Sequence, residues 1–339
     1  MADDQAERPA GAGKLSRRRF LAATGAAAGI SLLGMKPAYL SPALPSVTGR
    51  SAAGAEALVL GSSQDGGVPH AGCPCAHCEA ARRNPELGRR SPGLGLLDHA
   101  ERKAFMIDAG PDFPRQLDDL PSEWRDGRNP LAGVVLSHAH IGHYAGLVHL
   151  GREVLGTLKV PVWCSERMAA FLRDNGPWSQ LVGLGNIELN VFEPRRKFKL
   201  TDNLVIEPIA VPHRAEYTDT HFFVVEGPEH RLLYLTDIDR WEGLEPPIET
   251  LLAGVDIALL DGTFYSAEEL PGRDMSKIPH PPVVETAARL ADIAAAGRTR
   301  IVFTHLNHSN LLLDADGEKL RALRDKGFDI AHDGQSFEL

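Results

Sequence analysis

The sequence is poor in aromatic residues, which make up 6% of 339 positions, and it has only four cysteines. So few rings exclude a stacking platform for single-stranded nucleic acid. So few thiols exclude a disulfide scaffold. No apolar run reaches the roughly 20 residues that a membrane-spanning helix needs, so stable membrane insertion is not expected. An excess of positive charge is missing too, the formal net charge being −9. Residues 1–50 hold seven Lys and Arg against three Asp and Glu, whereas the remainder holds 29 against 42. A surface of that sign repels a phosphate backbone, which argues against a nucleic-acid partner. What remains, 43% apolar and 24% charged, is the make-up of an ordinary globular chain.

The basic start reads as an address. Ser16-Arg17-Arg18-Arg19-Phe20-Leu21 precedes a short Gly- and Ala-rich run to Gly34, and Pro37–Ala55 is rich in Pro, Ala and Ser. The segment resembles a twin-arginine export signal followed by a linker. Residues 1–55 are therefore set apart from a domain over 56–339. The twin-arginine export machinery is the expected partner, and a periplasmic or secreted location the expected destination. That route carries folded proteins, so a metal could be loaded beforehand.

Strand-like runs bounded by turn residues recur at Ala57–Gly61, Lys103–Ile107, Gly133–Ser137, Leu158–Trp163, Leu204–Ile209, His221–Glu226, Arg231–Thr236, Asp256–Leu260 and Arg300–Thr304. Several are almost wholly apolar, as strands covered on both faces are. Helical patterns cover Gly142–Leu155, Ser165–Asn175, Pro282–Ala295 and Gly317–Asp325. Strands come in runs and helices intervene unevenly, so two packed sheets with helices outside fit better than a doubly wound sheet.

The strongest chemical signal is His138-Ala139-His140-Ile141-Gly142-His143, directly after an apolar strand and opening a helix. Imidazoles two apart at a strand end can converge on one ion, and neutral imidazole suits zinc, iron or manganese. Further polar groups sit just past apolar strands: His213, Asp237 and His305. A second cluster is Cys73-Pro74-Cys75-Ala76-His77-Cys78. An odd number of thiols so close together pairs poorly, so a closed zinc site is expected, with a fourth ligand from His308 or, locally, His77. Cys164 stands apart after a strand and reads as a buried apolar residue.

From Ala57 onward the chain resembles the metallo-β-lactamase superfamily, whose motif is His-x-His-x-Asp-His followed by a distant His, an Asp and a last His. The resemblance implies a four-layer αββα sandwich with a metal cleft at its rim. It implies that His138, His140 and His213 form one metal site, that His143 and His305 serve a second, and that Asp237 bridges them. Asp108, in Ile107-Asp108-Ala109-Gly110, matches the family's structural aspartate. The opening Leu60-Gly61-Ser62, Gly66-Gly67-Val68-Pro69 and the cysteine cluster resemble a branch that includes the cyclic phosphodiesterase of phosphonate breakdown and the pyrroloquinoline-quinone biosynthesis protein B. By that resemblance Cys73, Cys75, Cys78 and His308 hold a structural zinc.

Position 142 departs from the motif, with Gly where the family has Asp. The second site thereby loses a carboxylate, which leaves open one tight metal, an asymmetric pair, or other chemistry. Placing Asp at 142 is expected to raise the metal content. The function expected is a hydrolase whose one or two catalytic ions activate water against a small-molecule phosphodiester, lactone or similar ester. Asp237 would orient the nucleophile, and His280, framed by Pro279 and Pro281, would protonate the leaving group. Asp261 and Tyr265 would shape the pocket. The alternatives are an iron-dependent oxygenase, suggested by Asp261-Gly262-Thr263-Phe264, and a non-catalytic periplasmic metal-binding protein.

Overall fold

The computed structural model describes residues 54–124, 131–214, 216–274 and 277–339. Apart from residues 54 and 55, the expected leader and linker lie outside the described residues.

The strands are β1 (Ala55–Gly61), β2 (Gly93–Asp98), β3 (Lys103–Ile107), β4 (Leu131–Val135), β5 (Val160–Cys164), β6 (Ile187–Val191), β7 (Phe198–Lys199), β8 (Val205–Ala210), β9 (His221–Glu226), β10 (Arg231–Leu235), β11 (Ile257–Asp261), β12 (Arg300–Thr304), β13 (Phe328–Ile330) and β14 (Ser336–Glu338). They form two seven-stranded sheets, in the orders β14-β1-β2-β3-β4-β5-β6 and β13-β12-β11-β10-β9-β8-β7. Within the first, β3 to β6 run parallel; within the second, β10 to β13 do.

Why the strands read as apolar runs is visible in the packing. Alternate side chains point to opposite faces of a strand, and here both faces are covered. Ala57, Val59, Leu94, Phe105 and Val135 of the first sheet meet Phe223, Val225, Leu232, Tyr234, Leu259 and Val302 of the second in a shared middle layer. Leu58, Leu60, Met106, Val134 and Leu136 turn outward, against Leu147, Met168, Leu172 and Leu181. Those partners come from the helical turns after β4 and from α4 (Glu166–Asp174) and α5 (Trp178–Gly183). On the far side Leu233, Leu235, Leu260 and Phe303 pack on α6 (Ile248–Leu252), α7 (Val283–Arg289), α8 (Ala291–Ala296) and α9 (Glu318–Arg324). The result is the expected αββα order of four layers.

Two expected helices are shorter than their patterns. Over Gly142–Leu155 the chain forms α3 (Ile141–Tyr144) and then a 3₁₀ stretch, Ala145–Leu150. The Gly146 N–H donates to Ala109 O, and His143 O accepts from the Ala109 N–H, so backbone bonding is diverted to the neighbouring loop. The Pro282–Ala295 pattern divides at Leu290 into α7 and α8. The strands β2, β6, β7, β13 and β14 carry weak or very short patterns and were not expected; β2 reads Gly-Leu-Gly-Leu-Leu-Asp.

Candidate metal centre

The C-terminal ends of β3, β4, β8, β10, β11 and β12 release their polar residues at one rim of the sandwich. In parallel sheets that edge is where the chain leaves the strand with side chains free to face a crevice. Nε2 of His138, Nδ1 of His140 and Nε2 of His213 meet there: His138 to His140 is 2.8 Å and His213 to His140 is 3.3 Å. One ligand atom each from His138, His140, His213 and Asp237 lies within 4.8 Å of all the others. Nε2 of His143 and Nε2 of His305 approach Oδ2 of Asp237 at 3.3 and 3.5 Å, while Oδ1 of Asp237 faces His213 at 3.7 Å. The carboxylate thus divides its two oxygens between the two groups of imidazoles.

The opposite edge of each ring is held. His143 Nδ1 lies 2.6 Å from Asp108 Oδ2, and the same carboxylate accepts from the Ser137 N–H and hydroxyl at 2.9 Å each. Ser137 Oγ lies 2.9 Å from His138 Nδ1. His140 Nε2 faces Glu216, His213 Nδ1 faces Asp239 at 2.8 Å, and His305 Nδ1 faces Thr263 Oγ1 at 2.9 Å. Asp261 accepts from the Thr263 N–H and hydroxyl and lies 2.6 Å from His280 Nδ1. Carboxylate and hydroxyl partners of this kind select the tautomer and fix the ring plane of a ligating imidazole. Asp108, His280 and His305 have φ of 65°, 78° and 62°, left-handed conformations that are uncommon for non-glycine residues and that turn these side chains into the cleft.

The donor set fits a cation. His143 Nε2, His305 Nε2 and Asp237 Oδ2 are buried with no hydrogen-bond partner, though nearly every buried polar atom in a protein has one. All three point at the same small volume. Burial and then the neighbouring His143 hold His138 well below the ordinary imidazole range, and burial does the same more mildly for His213 and His305. Burial thus favours the uncharged form of these rings, the form that has a lone pair to give. Burial opposes charge on Asp237, but the surrounding imidazoles, His305 first, outweigh it and keep the carboxylate well below its usual range. Burial also opposes charge on His280, and Asp261 overrides it, raising the imidazole. One ligand atom of His280 lies within 4.8 Å of Asp237 and His305.

Asp65, which the sequence reading passed over, also enters the cleft. Its Oδ1 is 3.3 Å from His143 Nε2 and 3.9 Å from His305 Nε2. The signal that could have found it is Gln64-Asp65-Gly66-Gly67, a turn with an acidic tip just past a strand. The expectation for Gly142 is accordingly corrected. A Cβ at 142 would stand 2.6 Å from both Cα and Cγ of Asp65, so an aspartate placed there has no room. Tyr265 packs against the outer core of the second sheet, with Lys319 Nζ 5.0 Å from its ring centre.

The cysteine cluster gathers at the same rim. Cys73 Sγ and Cys75 Sγ lie 3.5 and 3.6 Å from His308 Nδ1, and Cys78 completes a four-atom set within 4.8 Å. All four cysteines are unpaired. His77 stays outside that set, its Nδ1 3.1 Å from His308 O. Cys164 is buried in the outer core of the first sheet, and burial pushes its thiol up to about 12.

Known proteins bear on this geometry. The model of the beta-lactamase superfamily domain matches residues 103–306. The chain is 27% identical to the coenzyme PQQ synthesis protein B of Methylobacterium nodulans, over 84% of this chain and all of the relative. It is 25% identical to the protein of the same name from Xanthomonas campestris pv. campestris, over 83% of this chain and 99% of the relative. Among solved structures, zinc-bound PqqB from Methylobacterium extorquens superposes with a TM-score of 0.72 at 20% identity, over 84% of this chain and all of that one. A diphosphatase of the PhnP family superposes with a TM-score of 0.61 at 23% identity, over 84% and 97%. At these identities the superpositions speak for the fold.

Proposed function

This chain belongs to the beta-lactamase superfamily, and from that premise we propose that it is a metal-dependent hydrolase of a small-molecule ester, a phosphodiester or a lactone. The observation behind this reading is the convergence of five imidazoles and Asp237 on one buried cleft, with unpartnered atoms facing inward. His138, His140, His213 and Asp237 Oδ1 would hold one divalent cation, with zinc as the first choice and iron or manganese accepted by the same donors. His143, His305 and Asp237 Oδ2 would face a second. Bound there, a cation supplies a Lewis acid and a water acidic enough to be a nucleophile near neutral pH.

The side chains do the rest. Asp237 accepts a hydrogen bond from the nucleophile and orients it towards the substrate. Asp261 fixes the His280 ring through Nδ1 and favours its charged form, so the ring keeps a proton for the departing oxygen. Asp108 and Ser137 hold His138 and His143 in register. Cys73, Cys75, Cys78 and His308 would hold a third, structural zinc with no open position for substrate.

A second reading rests on the relatives, whose name is coenzyme PQQ synthesis protein B, and on the Asp261–Phe264 stretch. It is an iron-dependent oxygenase acting on a small substrate. Elemental analysis of the purified protein, with oxygen uptake and a phosphodiester and lactone panel, separates the readings. Zinc with ester turnover supports hydrolysis; iron with substrate-dependent oxygen uptake supports the oxygenase. Metal uptake without turnover in either assay sinks both and leaves a metal-binding protein. Export is proposed from the Ser16–Leu21 stretch, and replacing Arg17 and Arg18 by Lys should hold the protein in the cytoplasm on fractionation.

A further inference from the structure

We infer that Asp65 and Gly142 are an exchange of positions: the carboxylate for the His143–His305 side of the cleft comes from the loop after β1, and position 142 is glycine to admit it. The cleft then has two complete four-donor sets, His138, His140, His213 and Asp237 Oδ1 on one side, and Asp65, His143, His305 and Asp237 Oδ2 on the other. The inference rests on the metal-dependent reading above and adds the stoichiometry of the site and a ligand to it.

The distances fit. Donors bonded to zinc at 2.0–2.2 Å in a tetrahedron stand about 3.4 Å apart. Asp65 Oδ1 is 3.3 and 3.9 Å from the two Nε2 atoms, and Asp237 Oδ2 is 3.3 and 3.5 Å from the same pair. Three of these four donor atoms are the unpartnered ones, on side chains that are 5% exposed or less. Asp65 thus aims at a volume that already lacks a partner.

Its position is held by the fold. The segment Ser62–Gln64 pairs with Leu306: the Gln64 N–H donates to Leu306 O, the Leu306 N–H donates to Ser62 O, both at 3.0 Å, and the Ser63 hydroxyl donates to Leu306 O at 2.9 Å. Leu306 is the neighbour of His305, so the loop bearing the carboxylate is tied to the segment bearing the imidazole. A turn then closes, the Gly67 N–H donating to Gln64 O at 2.8 Å, with Gly67 at a φ of 67°. On the other side α3 sits so near that only glycine at 142 leaves space, since any Cβ would overlap Asp65. A side chain at 142 and Asp65 would compete for the same space.

The test uses the full chain, stripped with chelator and titrated with zinc, followed by calorimetry and by elemental analysis. Wild type should take up two equivalents in the cleft beside the one held by the cysteines. Asp65→Asn, which keeps the volume, should lose one cleft equivalent or weaken that step by at least about 100-fold, more than an outer partner costs. Gly142→Ala and Gly142→Asp, whose Cβ would stand 2.6 Å from the Asp65 Cα, should gain no metal and lower the melting temperature. Two cleft equivalents of wild-type affinity in Asp65→Asn would overturn the Asp65 assignment alone. A Gly142→Ala variant with both cleft equivalents and the wild-type melting temperature would overturn the claim that position 142 is glycine to admit Asp65. A wild type with no cleft metal at all would bring down the metal-dependent reading instead.

Discussion

His280 is the residue whose surroundings differ most from its appearance in the sequence. Framed by prolines, it reads as a loop histidine; in the fold it is buried, its backbone left-handed, its ring against Asp261. Burial lowers its proton affinity and Asp261 raises it by more, so the charged form survives above the ordinary imidazole range. A general acid of that kind works below its raised pKa and fails as pH climbs through it. His280→Asn, a residue that tolerates positive φ, should lower kcat by about 10²–10⁴-fold and flatten the alkaline limb of the pH–rate profile. An unchanged limb would remove His280 from the reaction. His138, His213, Asp237 and His305 were legible because each sits within three residues of an apolar strand end, and His140 and His143 because they follow His138 in one short motif. Asp65 was not legible, because its meaning lies in a glycine 77 positions away, and a single sequence displays no such pairing.

Among the elements, strands were easier to read than helices. A strand buried on both faces writes itself as an unbroken apolar run, as at Ile257-Ala258-Leu259-Leu260. The helix after His140 was over-read because its apolar periodicity continues while its backbone bonds go to Ala109. β2 escaped notice since two of its six residues are glycine. Where β2 ends, Asp98 accepts from the Glu101 N–H and from the Asn203 side chain, joining the first sheet to the turn between β7 and β8. Burial raises this carboxylate, and hydrogen bonds, that from Thr201 first, bring it below its usual range. A depressed folded pKa contributes stability above the unfolded value and loses it as pH falls through the folded one. Asp98→Asn should therefore cost about 1.5–3 kcal/mol at pH 7 and progressively less in acid. Urea melts at both ends of that range would show it, and an equal loss at each pH would contradict it.

For the whole molecule, the two sheets need no metal to pack, because the middle layer is continuous apolar surface. The cysteine set instead joins the helix α1 (Ala76–Arg83) and the loop before it to the segment after β12. Cys75→Ser should lose one zinc and lower the melting temperature, at about 2–4 °C per kcal/mol for a chain of this size, while the cleft histidines keep their metal. Retained zinc content and an unchanged melt would dismiss the structural site.

The pairing of Ser62–Gln64 with Leu306 has a consequence for both metal loci. Asp65 and Cys73 lie on one side of that seam, His305 and His308 on the other, only three residues apart. Two fasteners therefore close the same edge. Oxidising the thiols would open one of them and leave the imidazoles next door held by the other.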